Sequence, residues 1–462
     1  MIDFKIFLIN ENSSVADCLK QIERNTKGFL LITDDNRCVI GVVTDGDIRR
    51  KLIDGVKLED PIKLCSNSQF VKAHPDTPRE ILLKQLDHKI KMIPVLDSDN
   101  KLISIVTKDH LPVMEEHKVY ARSKSPVRIS FGGGGSDTSI FFNEHDGAVI
   151  NATISLYSHA TLKIREDKAI LIHSLDLNES VHFSCLDELL EYSGKFSLIQ
   201  AAIKAIKPSF GFELFIHSDF PMSSGLGGSS VVISAILGCF NQFRYDKWDK
   251  HDISEISFQA ERLHLGVAGG WQDQYATVFG GLNFMEFNFS QNIISPIRLN
   301  KNFILELEES LVLCYTGTIH DSGNIHGDQK IQTTDRQVKD RIRANVALTF
   351  EMRNHLLRGR LNEFGSCLHK AWELKRSFSS KISNPWLDDI YNEALNNGAV
   401  GGKLLGAGGG GYFLFYVPSF DRHKLMSWIK FKGLHYTPFI FEEDGLQSWT
   451  VREKKHKIRD EI

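Results

Sequence analysis

Pro221-Met222-Ser223-Ser224-Gly225-Leu226-Gly227-Gly228-Ser229-Ser230 runs straight into Val231-Val232-Ile233-Ser234-Ala235-Ile236-Leu237, a glycine-opened turn leading into an apolar helix. Backbone N–H groups hold phosphate when a flexible loop lets the main chain approach it, and the helix behind adds the positive end of its dipole. The serines can cap that helix, and a hydroxyl at the end of the turn can reach a phosphate-bound Mg²⁺. Taken alone, the segment reads equally well as a plain loop with an N-cap, because glycine-rich turns are common. A Walker loop is excluded: Gly194-Lys195 is followed by Phe196 and Gly402-Lys403 by Leu404, where Ser or Thr is required.

Two further glycine segments flank this one. Gly406-Ala407-Gly408-Gly409-Gly410-Gly411 satisfies Gly-x-Gly-x-x-Gly, but it precedes the strand-like Tyr412-Phe413-Leu414-Phe415-Tyr416 instead of following a strand and opening a helix, so it is no dinucleotide fingerprint. A run without side chains suits a place where backbone meets another loop or a ligand. Upstream, Arg128-Ile129-Ser130-Phe131-Gly132-Gly133-Gly134-Gly135-Ser136-Asp137-Thr138 carries a strand into glycines and then a carboxylate. Asp137 can grip a sugar diol or cap a helix from Ser139; the segment alone does not separate the two.

A chain of 462 residues exceeds the span of one hydrophobic core, so two or three domains are expected. With 42% apolar and 24% charged residues it is of ordinary globular composition, and a net charge of -3 supplies no field for nucleic acid. No stretch approaches a membrane span and the start lacks a signal peptide's pattern, so a cytoplasmic protein with no membrane partner is expected. Cys18, Cys38, Cys65, Cys185, Cys239, Cys314 and Cys367 are scattered, without a Cys-x-x-Cys pair, and read as reduced packing residues. Lys454-Lys455-His456-Lys457 reads as a solvated chain end.

The N-terminal stretch repeats itself. Leu31-Ile32-Thr33-Asp34-Asp35-Asn36-Arg37-Cys38-Val39-Ile40-Gly41-Val42-Val43-Thr44 returns as Pro94-Val95-Leu96-Asp97-Ser98-Asp99-Asn100-Lys101-Leu102-Ile103-Ser104-Ile105-Val106-Thr107, each copy a strand, a polar turn and a strand. Helical patterns over Val15–Ile22 and Arg79–Leu86 precede them, giving two small α+β modules that need each other to bury their sheets. The segment resembles a pair of CBS motifs, and Gly41-Val42-Val43-Thr44-Asp45-Gly46-Asp47-Ile48-Arg49 matches their closing signature. The resemblance implies an AMP, ADP or ATP effector, with Thr44 near a phosphate and Asp47 on the ribose hydroxyls, and a homo-oligomer formed through the pair. The second copy departs from the pattern: His110 stands where the ribose carboxylate belongs and Asp109 falls one residue early.

From Pro126 onward strands and helices mingle without a βαβ rhythm, which indicates α+β. Helical patterns cover Val231–Phe243 and Ile253–Leu265, and strand patterns cover Leu311–Tyr315 and Tyr412–Val417. We place the CBS halves at 1–57 and 58–117, an N-terminal subdomain at 121–325 and a C-terminal one at 326–462.

The three glycine segments follow the order and spacing of the GHMP kinases, the superfamily of galactokinase, homoserine kinase, mevalonate kinase and phosphomevalonate kinase, and the resemblance covers about 121–462. It implies a two-subdomain kinase fold with ATP phosphates wrapped by Pro221 and Ser224 to Ser230, that is Ser224, Gly225, Leu226, Gly227, Gly228, Ser229 and Ser230. Gly228 replaces the motif's first serine, while Ser229 keeps the metal-facing position beside Glu261 as second Mg²⁺ ligand. In Glu261-Arg262-Leu263-His264-Leu265-Gly266-Val267-Ala268-Gly269-Gly270-Trp271-Gln272-Asp273, the last residue would face the acceptor hydroxyl as base, with Arg128 keeping it ionised. Gly135, Ser136, Asp137, Gly408 and Gly409 would meet the acceptor.

Within the superfamily the chain resembles the D-glycero-D-manno-heptose 7-phosphate kinases most, through Pro126–Asp137, Gly269–Tyr275, Ala371–Ser377, Ile382–Pro385 and Gly401–Tyr412. That resemblance implies phosphorylation of an anomeric hydroxyl to the 1,7-bisphosphate. An acceptor already bearing phosphate needs a cationic recess, for which Lys375 and Arg376 are candidates, though a solvated helix face explains them as well. The competing expectations are a kinase of a free sugar such as fucose and a nucleotide-sensing protein with an inactive kinase fold.

Overall fold

The computed structural model describes residues 4–86, 90–108, 111, 113–317 and 336–457. It divides into two units, Met1–His117 with Arg452–Ile462, and Lys118–Val451.

In the first unit, β1 (Leu8–Asn10) lies parallel to β2 (Phe29–Thr33), which runs antiparallel to β3 (Val39–Thr44). The second copy forms the hairpin of β4 (Met92–Leu96) and β5 (Leu102–Thr107). The two turns are built alike. Asp34 Oδ1 accepts the amides of Asn36 and Cys38 at 2.9 and 2.8 Å, and Asp97 Oδ1 accepts those of Asp99 and Lys101 at 2.9 and 2.8 Å. Arg37 and Asn100 then take the left-handed conformation, with φ of 65° and 57°. One core cluster joins Leu31 and Val39 to Leu96 and Ile105, and Val39 N–H donates to Asn100 O at 2.9 Å, so each copy buries the other's sheet.

The second unit is α+β, as expected. Its strands begin with β6 (Val113–Gly132), β7 (Gly147–Ile164), β8 (Ile170–Ser174), β9 (Glu179–Phe183), β10 (Phe212–Ser218), β11 (Leu282–Phe287) and β12 (Asn292–Pro296). They continue with β13 (Leu311–Tyr315), β14 (Gly401–Leu404), β15 (Tyr412–Tyr416), β16 (His435–Thr437) and β17 (Gln447–Lys457). β7 is the spine of an eight-stranded sheet, antiparallel to β6, β10 and β11, with β12 beyond β11, β8 and β9 beyond β10, and β17 paired to β6. The basic run Lys454–Lys457 ends the strand β17, in the segment Arg452–Ile462 that belongs to the first unit.

The four-stranded sheet runs β14-β15-β13-β16. Because β13 pairs with β15 and β16, this sheet starts upstream of the 325/326 division drawn from sequence, which itself falls outside the described residues. Helices Leu361–Arg376 and Pro385–Asn396 pack on it through Trp372 and Tyr391, and Trp372 stands edge-on to Phe413 with ring centroids 5.6 Å apart. The helix after the first glycine turn spans Gly228–Asn241 and lies in a core with Leu162, Phe212 and Leu214. All seven cysteines are free, and burial pushes the thiols of Cys18, Cys239 and Cys314 up to about 12. Among the described residues no helix is long and apolar enough to cross a membrane.

Phe413 is fully buried between the two helices and the sheet. Phe413→Ala is expected to cost about 3–5 kcal/mol through the cavity it opens, read as a lowered urea midpoint.

Candidate active site

Gly225 and Gly227 both hold φ at 80°, so the turn before the Gly228–Asn241 helix needs residues free of a Cβ. The surroundings ask for the same. A Cβ on Gly406 would lie 2.5 Å from Gly225 Cα, and one on Gly411 would lie 2.4 Å from Ser224 O. The glycine turn at 225–228 and the last glycine run therefore meet backbone to backbone. Leu226 anchors the turn from below in a core with Ile129 and Val231. Ser224, Gly225, Gly227, Gly228 and Ser229 line a cavity of about 310 Å³. Leu226 and Ser230 are fully buried and do not line it, nor does Pro221.

Glu261 reaches the same cavity from a π-helical stretch, Gln259–His264, in which Leu265 N–H donates to Ala260 O at 3.0 Å. Such stretches rotate a side chain off the regular helical face. Glu261 Oε1 accepts the Ser229 hydroxyl and faces Arg262 Nη1 at 3.1 Å; Oε2 accepts Ser230 Oγ at 2.6 Å and Gln274 Nε2 at 2.7 Å. A carboxylate and a serine hydroxyl side by side are hard oxygen donors of the kind Mg²⁺ takes.

Asp273 lies in the first turn of the helix Gln272–Phe279. Arg128, from β6, grips it in bidentate fashion, Nε to Oδ1 at 2.8 Å and Nη2 to Oδ2 at 2.9 Å, while Nη1 donates to Gly225 O at 2.8 Å. Burial alone would raise the Asp273 pKa; the Arg128 charge and hydrogen bonds, with Arg262 and Gln272, outweigh it and hold the carboxyl below its ordinary value. Gly227 leaves room for the pair, since its Cβ would come within 3.3 Å of the Asp273 carboxylate. Both Asp273 and Glu261 thus open onto the cavity walled by the glycine turn.

A second cavity, of about 120 Å³, shares Arg128, Arg262, Asp273 and Gly406 with the first. Gly135, Asp137, Asn345, Lys375 and Lys403 also line it. Asp137 does not cap the Ser139 helix, which has no side-chain cap; it accepts the amides of Gly135 at 3.2 Å and Gln272 at 3.1 Å. Burial, then the neighbouring Asp273 charge, raises its carboxyl pKa against those amides. Gly270 fits beneath it because a Cβ there would lie 1.9 Å from Asp137 Oδ2.

Three expected acceptor residues sit elsewhere. Ser136 is fully buried and ties Gly133 O at 2.7 Å to Ala148 O at 3.1 Å, a structural knot. Gly408 and Gly409 pack on Ile382, Gly409 N–H donating to Ile382 O at 2.8 Å, while Gly406 lines both cavities and Ala407 the first. Of the cationic candidates, Lys375 reaches the second cavity, but Arg376 turns to Glu373 and Asp388 at 3.1 and 3.3 Å because it lies one residue round the helix.

In the first unit Thr44 and Asp47 form a capping box at the helix Asp45–Ile53: Asp47 Oδ2 accepts Thr44 N–H at 2.9 Å and its hydroxyl at 2.6 Å. Asp109 and His110 lie outside the described residues.

Sequence reasoning missed Arg262, Asn345, Lys403 and the apolar wall of Leu177, Leu198, Ile216 and Phe220. Lys403 had a signal, a lone cation between Gly402 and Leu404 in an otherwise apolar strand. Ser224 Oγ, Arg262 Nε and Asn345 Oδ1, buried in these walls, have no hydrogen-bond partner among the described residues. Buried polar atoms are normally satisfied, so three such orphans around two adjoining cavities fit polar ligands there.

Comparison with known proteins matches residues 197–281 to the GHMP kinases N terminal domain, 352–423 to GHMP kinases C terminal, and 2–54 and 63–116 to the CBS domain. The chain is 33% identical over 336 residues to the D-glycero-alpha-D-manno-heptose 7-phosphate kinase of Campylobacter jejuni, covering 71% of this chain and 99% of that protein. It is 30% identical over 338 residues to the L-fucokinase/L-fucose-1-P guanylyltransferase of Bacteroides fragilis, 65% of this chain but 35% of that protein. The crystal structure of a D-glycero-D-manno-heptose 1-phosphate kinase from Bacteriodes thetaiotaomicron superposes with a TM-score of 0.60 at 28% identity, over 72% of this chain and 99% of that one. Lactococcus lactis galactokinase shares the fold at a TM-score of 0.58 and 20% identity, over 72% and 95%.

Because its folded-state pKa is depressed, Asp273 contributes stability that is present above about pH 4 and lost as pH falls through the folded value. Arg128→Met leaves that partly buried carboxylate without its ion-pair partner, with only the Arg262 charge and Gln272 still favouring its ionised form, at an expected cost of about 1–3 kcal/mol near neutral pH. The sign then reverses, since burial raises the pKa: acidification towards about pH 5 should recover part of the loss, measured by urea unfolding at both pH values.

Proposed function

As the chain belongs to the GHMP kinase family and is an ATP-dependent sugar kinase, we propose that it phosphorylates the anomeric hydroxyl of D-glycero-D-manno-heptose 7-phosphate, giving the 1,7-bisphosphate for nucleotide-heptose synthesis. The observation that carries this reading is the convergence of Asp273, gripped by Arg128, and Glu261, bonded to Ser229, on one cavity walled by the glycine turn.

Phosphoryl transfer asks a protein mainly for positioning and charge stabilisation. The amides of Gly225 to Gly228 and the unpartnered Ser224 hydroxyl hold the phosphates of ATP, and the apolar wall around Leu198 and Phe220 takes its base. Ser229 and Glu261 are the residues that would hold Mg²⁺, which would supply charge neutralisation to the phosphates. Asp137, with one amide on each oxygen, keeps lone pairs for sugar hydroxyls. Asp273 accepts the proton of the acceptor hydroxyl as its oxygen bonds to the γ-phosphorus and the bond to the ADP oxygen breaks. Its grip by Arg128 keeps it ionised for that role, and the same guanidinium offsets charge on the transferring group. Such a reaction draws on the cytosolic ATP pool, so we place the protein in the cytosol.

ADP release with a panel of heptose 7-phosphate, free heptose, fucose and galactose tests the reading. Heptose 7-phosphate should give the highest kcat/KM, Asp273→Asn should lower kcat by about 10²–10⁴, and Glu261→Gln should raise the Mg²⁺ concentration needed. Undiminished turnover in Asp273→Asn refutes the assignment of the base; preference for fucose moves the acceptor alone.

For the CBS pair we propose an adenosine-nucleotide site at Thr44 and Asp47 that modulates rate or homo-oligomer formation. Thr44 occupies Asp47 Oδ2 and Arg50 Nη2 pairs with Oδ1 at 2.5 Å, so a ribose hydroxyl would share Oδ1 with that guanidinium. AMP titrated by calorimetry into the full chain should bind, and Asp47→Ala should abolish the heat; silence in the parent chain leaves the pair a structural or oligomerising role.

A further inference from the structure

The second cavity holds more positive charge than the reading above uses. Lys403, 4% exposed on β14, points its ammonium at the cavity with one acceptor, Phe131 O at 3.3 Å. Lys375, from the facing helix, gives two N–H bonds to backbone, to Leu404 O at 2.9 Å and Gly406 O at 2.5 Å. Neither ammonium pairs with a carboxylate among the described residues. Of the cations in the walls, Arg128 is taken by Asp273 and Arg262 by Glu261, which leaves Lys375 and Lys403 against Asp137 alone. Buried charge without a counter-charge is costly, and an arriving anion removes the cost. Both lysines line the second cavity and neither lines the first, which sets them on the acceptor side with Asp137 and Asn345.

We infer that Lys375 and Lys403 form a seat for an anionic group carried by the acceptor, and that Lys403 is the residue by which the enzyme separates a phosphorylated sugar from a free one. This rests on the sugar-kinase reading and names the part of that site which selects the substrate class. The two lysines have different duties. Lys375, held by two carbonyls, has one N–H left and braces Gly406 against the phosphate turn. Lys403, with a single long bond, has two N–H left for an anion.

A pH dependence follows. Burial, then the Arg128 charge, brings the Lys403 ammonium down to about 7; burial, then the Lys403 and Arg128 charges, holds Lys375 well below its ordinary value, and Arg262 is a further cation of the cavity, with Asp137 and Asp273 opposing. A bound dianion favours the charged form, so binding takes up a proton, and affinity for a phosphorylated acceptor falls as pH rises past neutrality.

The test uses the full chain at saturating Mg-ATP with heptose 7-phosphate and free heptose. Lys403→Met is expected to raise KM for the phosphorylated sugar by about ten- to a hundredfold, as loss of a charge-assisted hydrogen bond does, with little change for the free sugar. Lys403→Arg should restore most of the discrimination. Calorimetry of heptose 7-phosphate without nucleotide, in two buffers of different ionisation heat, should report proton uptake in the parent and none in Lys403→Met, with circular dichroism confirming that the variant folds. Equal loss for both sugars would mean that the lysines serve the transferred phosphoryl group, and equal affinity of the parent for both sugars would mean that no seat exists; either overturns the inference while leaving the kinase reading intact. If no sugar is turned over, the functional reading fails, and the calorimetric arm still decides the seat.

Discussion

One ion pair fixes the site. Arg128 reaches from β6 to the Asp273 carboxylate with two N–H groups and to Gly225 O with a third, so a single guanidinium sets the distance between the central sheet, the glycine turn and the helix that carries the proposed base. Planar, always charged and many-toothed, it does what a lysine cannot. The arrangement also explains the glycine at 227, where a Cβ would press on both partners.

Around that pair the site is assembled from backbone more than from side chains. Two glycine runs far apart in sequence lie against one another, one braced by Lys375 and the other anchored by Leu226. Backbone packed on backbone presents amides in a fixed array, and fixed dipoles need no reorganisation when charge develops beside them. Glu261 comes in from a π-helical stretch, where the register slips enough to bring its carboxylate onto Ser229.

Much of this was legible in sequence where the signal is local. The repeat announced two strand-turn-strand units because aspartate at the turn and a left-handed residue after it are encoded within a few positions. The helix after the glycine turn, read from Val231 and found to begin three residues earlier at Gly228, followed from its apolar pattern, and the carboxylates at 261 and 273 from the family resemblance. What sequence could not give were distances across the fold. Nothing in Ala371–Ser377 tells that Lys375 turns inward and Arg376 outward, since one residue on a helix is a rotation of about 100°. Ser136 and Gly408 failed as ligand contacts for a related reason: a glycine-rich segment supplies both cavity wall and internal scaffold, and only packing assigns which residue does which.

Gly270 shows what such packing does to the history of a sequence. With Asp137 Oδ2 at 1.9 Å from where a Cβ would stand, every single-base change that alters the residue also displaces the carboxylate. The position is frozen by shape, whereas Asn345 and Lys403, which meet the cavity through side-chain tips, are free to be exchanged. New acceptor preferences in descendants of this chain should therefore arise at those two tips, on an inherited floor that cannot drift.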